Sequence, residues 1–95
     1  MTQTFHKVFK IEHVPSGKFL NRGMDGFLDR VGHIWPSRAG AKSTLGHVRK
    51  YIERNRRFYD DRNLDPEDPY WCSNVDDCRI VAYVLTPVVQ FPEDR

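Results

Sequence analysis

Hydrophobic and polar positions alternate along residues 4–14, TFHKVFKIEHV, close to the start of the chain. Phe5, Phe9 and Ile11 fall on one side of this segment and polar residues on the other. A period of two with aromatic and β-branched residues predicts a strand with one face in water. Proline and glycine in the following 15–17 segment favour a tight hairpin turn.

Three further apolar segments predict the rest of a small sheet. Residues 18–22, KFLNR, return as a second strand, and residues 33–35 form a short third strand that ends at Pro36, which has no N–H to donate. Residues 78–85, CRIVAYVL, are apolar at both odd and even positions. That composition is typical of a strand buried on both faces, so we expect it to insert between earlier strands, with Thr86-Pro87 ending it.

A helical period replaces the strand period after Pro36. Ser37 is a suitable N-cap because its hydroxyl can accept a hydrogen bond from an amide one turn into a helix. The inner stripe of this predicted helix has intervals of four, three and four and consists of Ala41, Leu45, Val48 and Ile52. Gly46 adjoins the stripe, where it would permit close approach to the sheet, and we expect the helix to end by about Asn55.

The predicted architecture is α+β, a small antiparallel sheet of three to four strands with one helix packed on a face, in the order β-β-β-α-loop-β. The loop in this order, residues 55–77, is long and acidic. Connections of this length are uncommon in compact domains and are usually functional or disordered. Because Tyr70 and Trp71 lie within it, we expect this loop to be partly held against the fold.

Composition places the chain among globular domains. Its 95 residues, 39% hydrophobic and 29% charged, fit one domain over 1–95. No apolar stretch approaches the length of a membrane span, and the first residues have no signal core, so we expect a cytoplasmic protein. The spacing of Cys72 and Cys78 permits a disulfide, but in a reducing cytoplasm free thiols are the expected state.

Charge is strongly segregated along the chain although the formal net charge is only +2. Residues 38–57 contain seven basic residues and a single acidic one, whereas residues 58–77 contain seven acidic residues and a single basic one. The outer face of the helix either remains free for a partner or is covered by the acidic loop.

Candidate chemistry is sparse. The lysine of a phosphate-binding loop directly follows a glycine, but Ala41 precedes Lys42, so Lys42 is interpreted as a solvated side chain at a helix start. The histidines and cysteines lack the short paired spacings of zinc sites, and no metal is expected. Ser43 and His47 can meet on the helix, but no orienting carboxylate accompanies them. We therefore predict no catalytic residues and no cofactor.

The segments FKIEHVPSGKFLNRG, GHIWPSRAGAKSTLGHV and DDCRIVAYVLTP resemble small, uncharacterised accessory proteins of tailed bacteriophages. The resemblance lies in a GKF turn, a glycine-basic-x-Trp element, a Lys-bearing helix and a terminal strand of the type IVxYxL. It covers about two thirds of the chain, and it brings no active site with it. It implies a phage accessory protein made in the cytoplasm of an infected bacterium.

These observations lead to a non-enzymatic protein that binds and modulates a protein of the bacterial host. Nucleic-acid binding through the basic helix face is the alternative, and a small enzyme is less favoured. For Tyr70 and Trp71 the competing interpretation is that they cap the core. The residues predicted to contact a protein or nucleic acid are Arg49, Lys50, Arg54, Arg56, Arg57, Tyr70 and Trp71.

Overall fold

A computed structural model describes residues 6–65 and 67–85. These residues form an α+β fold in which a four-stranded antiparallel sheet, ordered β3-β2-β1-β4, carries a helix packed on one face. The elements in chain order are β1 His6–His13, β2 Lys18–Leu20, β3 Leu28–Asp29, α1 Arg38–Arg54, α2 Arg56–Arg62, a short 3-10 helix Val75–Asp77, and β4 Cys78–Leu85. The predicted fold class is confirmed.

The first hairpin follows the prediction. Phe9 and Ile11 are buried on the side of β1 that faces the helix, whereas Phe5, assigned to the same side, lies outside the described residues. The turn closes through the Gly17 amide, which donates to the His13 carbonyl at 2.9 Å. Gly17 has a φ of 73°, in the left-handed region that glycine adopts without steric cost.

The third strand was predicted in the wrong place. β3 consists of Leu28–Asp29, which pairs with β2. The segment predicted as a strand supplies only Trp35, which exchanges two backbone hydrogen bonds with Phe9, at 2.9 and 2.8 Å. Because β2 is only three residues long, it leaves this part of β1 without a partner, and Trp35 occupies the vacant position.

The prediction that the last strand is central is also wrong. β4 pairs in register with β1 over all eight residues and lies at the edge of the sheet. The other side of β1 is already occupied by β2 and Trp35. An apolar composition therefore did not indicate burial here, since Tyr83 and Val84 are exposed. The predicted end at Thr86-Pro87 lies outside the described residues.

Helix α1 confirms the predicted helix at both ends. The Ser37 side chain accepts a hydrogen bond from the Gly40 amide at 3.1 Å, and Asn55 follows the last helical residue. The predicted stripe faces the sheet, with Leu45 only partly buried and Thr44 buried beside it. Gly46 does not permit close approach to the sheet, because it lies on the outer side of α1 with nothing within 4 Å of the place its Cβ would occupy.

The connection predicted as a loop over 55–77 contains two helical segments, α2 and the 3-10 helix. The short helix α2 is mostly charged and buries a single side chain, Tyr59. The Tyr59 hydroxyl donates a hydrogen bond to the Asp25 carbonyl oxygen. The sequence pattern missed α2 because one buried residue in seven produces no visible period.

Candidate functional site

The residues predicted to bind a partner do not form one patch. All seven are described: the five basic ones are exposed on α1 and α2, Tyr70 is exposed, and Trp71 is half-buried. Of the five basic residues, two contact the acidic connection, two line a groove, and Arg57 does neither.

Arg49 of α1 and Arg56 of α2 contact the last part of the acidic connection, residues 73–76. The Arg49 guanidinium lies 3.1 Å from an Asp76 carboxylate oxygen, and Arg56 donates a hydrogen bond to the Ser73 carbonyl at 2.7 Å. Both contacts are exposed, and an exposed ion pair contributes only about 0–1 kcal/mol. The acidic segment thus covers part of the basic face, which was one of the two expectations.

Lys50 and Arg54 lie away from these contacts and line a groove of about 310 Å³. His47 and Tyr51 complete the helical side of the groove, and Met24 from the β2–β3 loop forms the opposite side. The Tyr51 ring is 45% exposed, so it is available to pack against a ligand. None of the five lining residues is acidic. The groove therefore presents two fixed positive charges beside an aromatic and a thioether surface.

Sequence reasoning missed three members of this groove. Intervals of four and three residues place His47, Tyr51 and Arg54 on one side of a helix. The helical period could therefore have predicted that His47 and Tyr51 lie beside Arg54. Met24 carried no signal, because it comes from a distant loop that only the tertiary structure brings to α1. The predicted residue Arg57 is exposed on α2 and does not line the groove.

Tyr70 and Trp71 have different surroundings although they are adjacent. Trp71 packs edge-on against Phe27 and Phe58, with ring centroids 5.2 and 5.3 Å away. Its main-chain N–H donates to the side-chain oxygen of Asn63, and its carbonyl accepts from the side-chain nitrogen of Asn63. Its position corresponds to the core-capping interpretation. Tyr70 is 61% exposed, with the Lys18 amine 5.3 Å from its ring centroid.

The buried side chain of Lys18 holds the acidic connection against the sheet. Lys18 is 8% exposed; its amine donates to the Pro69 carbonyl at 3.0 Å and lies 2.6 Å from an Asp68 carboxylate oxygen. The hydrogen bond and charge of Lys18 lower the pKa of Asp68. Alternation along β2 places Lys18 on the same buried face as Leu20, which was the available signal for its burial.

A second cavity, of about 320 Å³, lies beneath this connection and includes His13, Tyr59 and Trp71 in its lining. The Nδ1 atom of His13 is 2.8 Å from the Ser16 hydroxyl, which also accepts the Lys18 amide at 3.2 Å. These bonds hold the hairpin turn in place. Burial lowers the pKa of His13 and raises that of Tyr59, so both side chains favour their neutral forms.

The cysteines lie side by side as free thiols, with their sulfur atoms in hydrogen-bond contact at 3.4 Å and no disulfide between them. Among residues 6–65 and 67–85, no three His, Cys, Asp or Glu side chains are grouped so that they could hold a metal ion. Lys42 is exposed on α1, and the Ser37 hydroxyl already accepts an amide at the start of that helix.

No helix within the described parts of the chain has both the length and the apolar character needed to cross a bilayer. Comparison with known proteins finds no matching family model and no match among curated proteins or solved structures.

Proposed function

We propose that this protein is a non-enzymatic accessory protein of a tailed bacteriophage that binds and modulates a protein of the bacterial host in its cytoplasm. The phage assignment rests on the resemblance of the GKF turn, the Lys-bearing helix and the IVxYxL strand. The binding assignment rests on one observation, the groove formed by Met24, His47, Lys50, Tyr51 and Arg54.

The chemistry of the groove favours a partner segment that is acidic and carries an apolar or aromatic side chain. Lys50 and Arg54 supply charge, and no acidic side chain among the described residues lines the groove to neutralise them. Complementary charge of this kind accelerates encounter and selects orientation. Tyr51 and Met24 provide a surface on which a large partner side chain can be desolvated, and such central aromatic contacts carry much of the binding energy in protein interfaces.

The groove is tested by reversing its charges. Affinity capture from bacterial lysate with the wild-type chain identifies the partner, which is then purified and titrated against variants. We expect the double variant Lys50→Glu/Arg54→Glu to weaken binding by at least about tenfold, because two attractive contacts become repulsive. The control Arg30→Glu/Arg57→Glu changes the net charge equally at exposed positions outside the groove, and should bind as the wild type does. Retained binding by the groove variant would refute the proposal, as would a wild-type chain that captures no specific protein.

Nucleic-acid binding is the second candidate, because the same groove pairs cations with the exposed Tyr51 ring. Phosphates are attracted to such cations, and bases stack on such rings. This alternative predicts salt-dependent retention on a nucleic-acid column that Lys50→Glu/Arg54→Glu abolishes. Equal retention of the variant and the wild type would eliminate the nucleic-acid groove.

A further inference from the structure

The outer edge of β4 presents a row of backbone groups that lack partners among the described residues. Phe9 directs its N–H and C=O away from β4, to Trp35, and Ala82 is the residue opposite Phe9. In an antiparallel pair, residues opposite each other either both exchange bonds or both point outward. The backbone groups of Ala82 therefore point away from β1, and alternation assigns the same direction to Ile80 and Val84.

Strand β4 lacks the features that usually protect an edge from pairing. Protective features include very short strands, prolines and charged side chains. The opposite edge strand, β3, is two residues long, whereas β4 has eight residues and no proline or glycine. Its single charge, Arg79, lies at its beginning and binds Glu12 of β1 at 2.7 Å. The edge is thus long and apolar, and within the described part of the chain nothing pairs with it along Ile80, Ala82 and Val84.

One flank of α1 supplies positive charge above this edge. The ion pair between Arg49 and Asp76 fixes which flank lies toward the 3-10 helix and the start of β4. Arg38 and Lys42 precede Arg49 on that flank, at helical intervals of four and seven residues. Both are exposed and form no ion pair with a described residue. The groove is lined by other residues of α1, including Lys50 and Arg54, so the flank and the groove are separate surfaces.

We propose that the outer edge of β4 accepts an extended segment of a partner protein whose residues alternate between acidic and apolar. Main-chain hydrogen bonds would form with Ile80, Ala82 and Val84, as in other cases of strand addition. Acidic side chains on the helix side of the added strand face Arg38 and Lys42. Apolar side chains on the other side lie beside Val81 and Tyr83, which share the open face of the sheet.

A second copy of this chain fits the edge less well. Antiparallel pairing of two β4 strands would place both α1 helices on the same side of the joined sheet. Their flanks with Arg38 and Lys42 would then approach each other, and like charges facing each other are destabilising. An acidic segment would instead be attracted by the positive charges of Arg38 and Lys42. The inference shares with the proposed function the class of partner, a protein segment with acidic and apolar side chains, but it places that segment on the β4 edge and not in the groove.

The probe is a fluorescent synthetic peptide of alternating glutamate and valine, about as long as β4. We expect the wild-type chain and Ala82→Ser to bind it, and Ala82→Pro to bind at least about tenfold more weakly, because proline removes one outward donor and obstructs its neighbour. Proline is tolerated where a strand's N–H faces solvent. A peptide with lysine for glutamate should not bind. Fluorescence anisotropy measures the affinities, and circular dichroism checks that each variant is folded.

A second variant, Arg38→Glu/Lys42→Glu, leaves the strand unchanged and should also weaken binding. The loss of affinity caused by Ala82→Pro should keep its size in the Lys50→Glu/Arg54→Glu background, where the groove no longer attracts an acidic peptide, so failure of the groove and failure of the edge are distinguishable. Absence of binding to the wild type would overturn the proposal, and so would wild-type affinity in both Ala82→Pro and Arg38→Glu/Lys42→Glu. A wild-type dimer in sedimentation that Ala82→Pro dissociates would overturn it in favour of a second copy.

Discussion

Lys18 shows how one side chain places a whole segment. A buried ammonium group is costly unless hydrogen-bond acceptors and an opposite charge surround it. The Pro69 carbonyl and the Asp68 carboxylate provide them. The acidic connection is consequently held against β2 at this point, and near its other end Asp76 pairs with Arg49 of α1.

His13 is expected to make the free energy of unfolding depend on pH. Burial lowers its pKa from the usual 6.5, opposed by the negative charge of Asp77 and reinforced by the positive charge of Lys18. The unfolded chain therefore takes up a proton near pH 6.5 that the folded protein resists. The free energy of unfolding should fall as pH drops through this value, and this fall should end below the lowered pKa of the folded state.

Urea denaturation between about pH 5 and pH 8 tests this expectation. The variant His13→Gln should lose this pH-dependent component, whereas His47→Gln, at an exposed position of the groove, should keep it. Parallel pH profiles for the wild type and His13→Gln would contradict the assignment.

At the scale of elements, the residues of α1 largely determine where this helix begins, ends and packs. The residues of β4 do not determine its position in the sheet. Helix α1 has a side-chain cap at Ser37 and an inner stripe of the correct period. The position of β4 depends on which edge of β1 remains unoccupied. Its apolar composition predicts a strand correctly but not the number of its neighbours.

Gly46 is the residue at which α1 can be improved. It is exposed, and no atom lies within 4 Å of the place its Cβ would occupy. We expect Gly46→Ala to raise the free energy of unfolding by about 0.5–1 kcal/mol, because alanine loses less backbone entropy in a helix. Urea denaturation measures the change.

Gly32→Ala is the matched comparison, because Gly32 has a φ of 73° and its added Cβ would clash with the Cβ of Phe19. It should lower stability by more than about 1 kcal/mol. If Gly46→Ala were also destabilising, the assignment of Gly46 to an open outer face would be wrong.

At the scale of the whole molecule, the segregated charges of the sequence are distributed over two cationic surfaces and a set of contacts with the acidic connection. Arg49 and Arg56 meet the acidic connection, Lys50 and Arg54 line the groove, and Arg38 and Lys42 lie on the flank toward β4. The nearly neutral chain therefore retains two cationic surfaces with different geometry.

Cys72 and Cys78 join the connection to the sheet, and their oxidation should stabilise the molecule. The Cys72 amide is held by the Gly26 carbonyl at 2.8 Å, and the sulfurs are 3.4 Å apart. Cys72 is fully buried and Cys78 is half-buried, so oxidised glutathione reacts first with Cys78, and Cys72 then displaces the bound glutathione. With oxidised glutathione, a disulfide should form as two glutathione thiols are released.

Mass spectrometry should then show a decrease of about 2 Da, and urea denaturation an increase in stability of roughly 2 kcal/mol from closing a short loop. Cys78→Ser should show neither change. An oxidised protein with unchanged stability would indicate that bond formation strains the fold.

Residues close in sequence determined the first hairpin, the helix with its cap and end, and the α+β class, because periodicity, turn residues and capping are local properties. They also identified Lys50 and Arg54 as exposed cations. Only the tertiary structure decided that β4 lies at an edge, that Tyr59 supports a second helix, that Trp71 joins the core and that Met24 completes the groove. Each of these depends on contacts between segments far apart in the chain, and the pattern within either segment does not contain the identity of its partner.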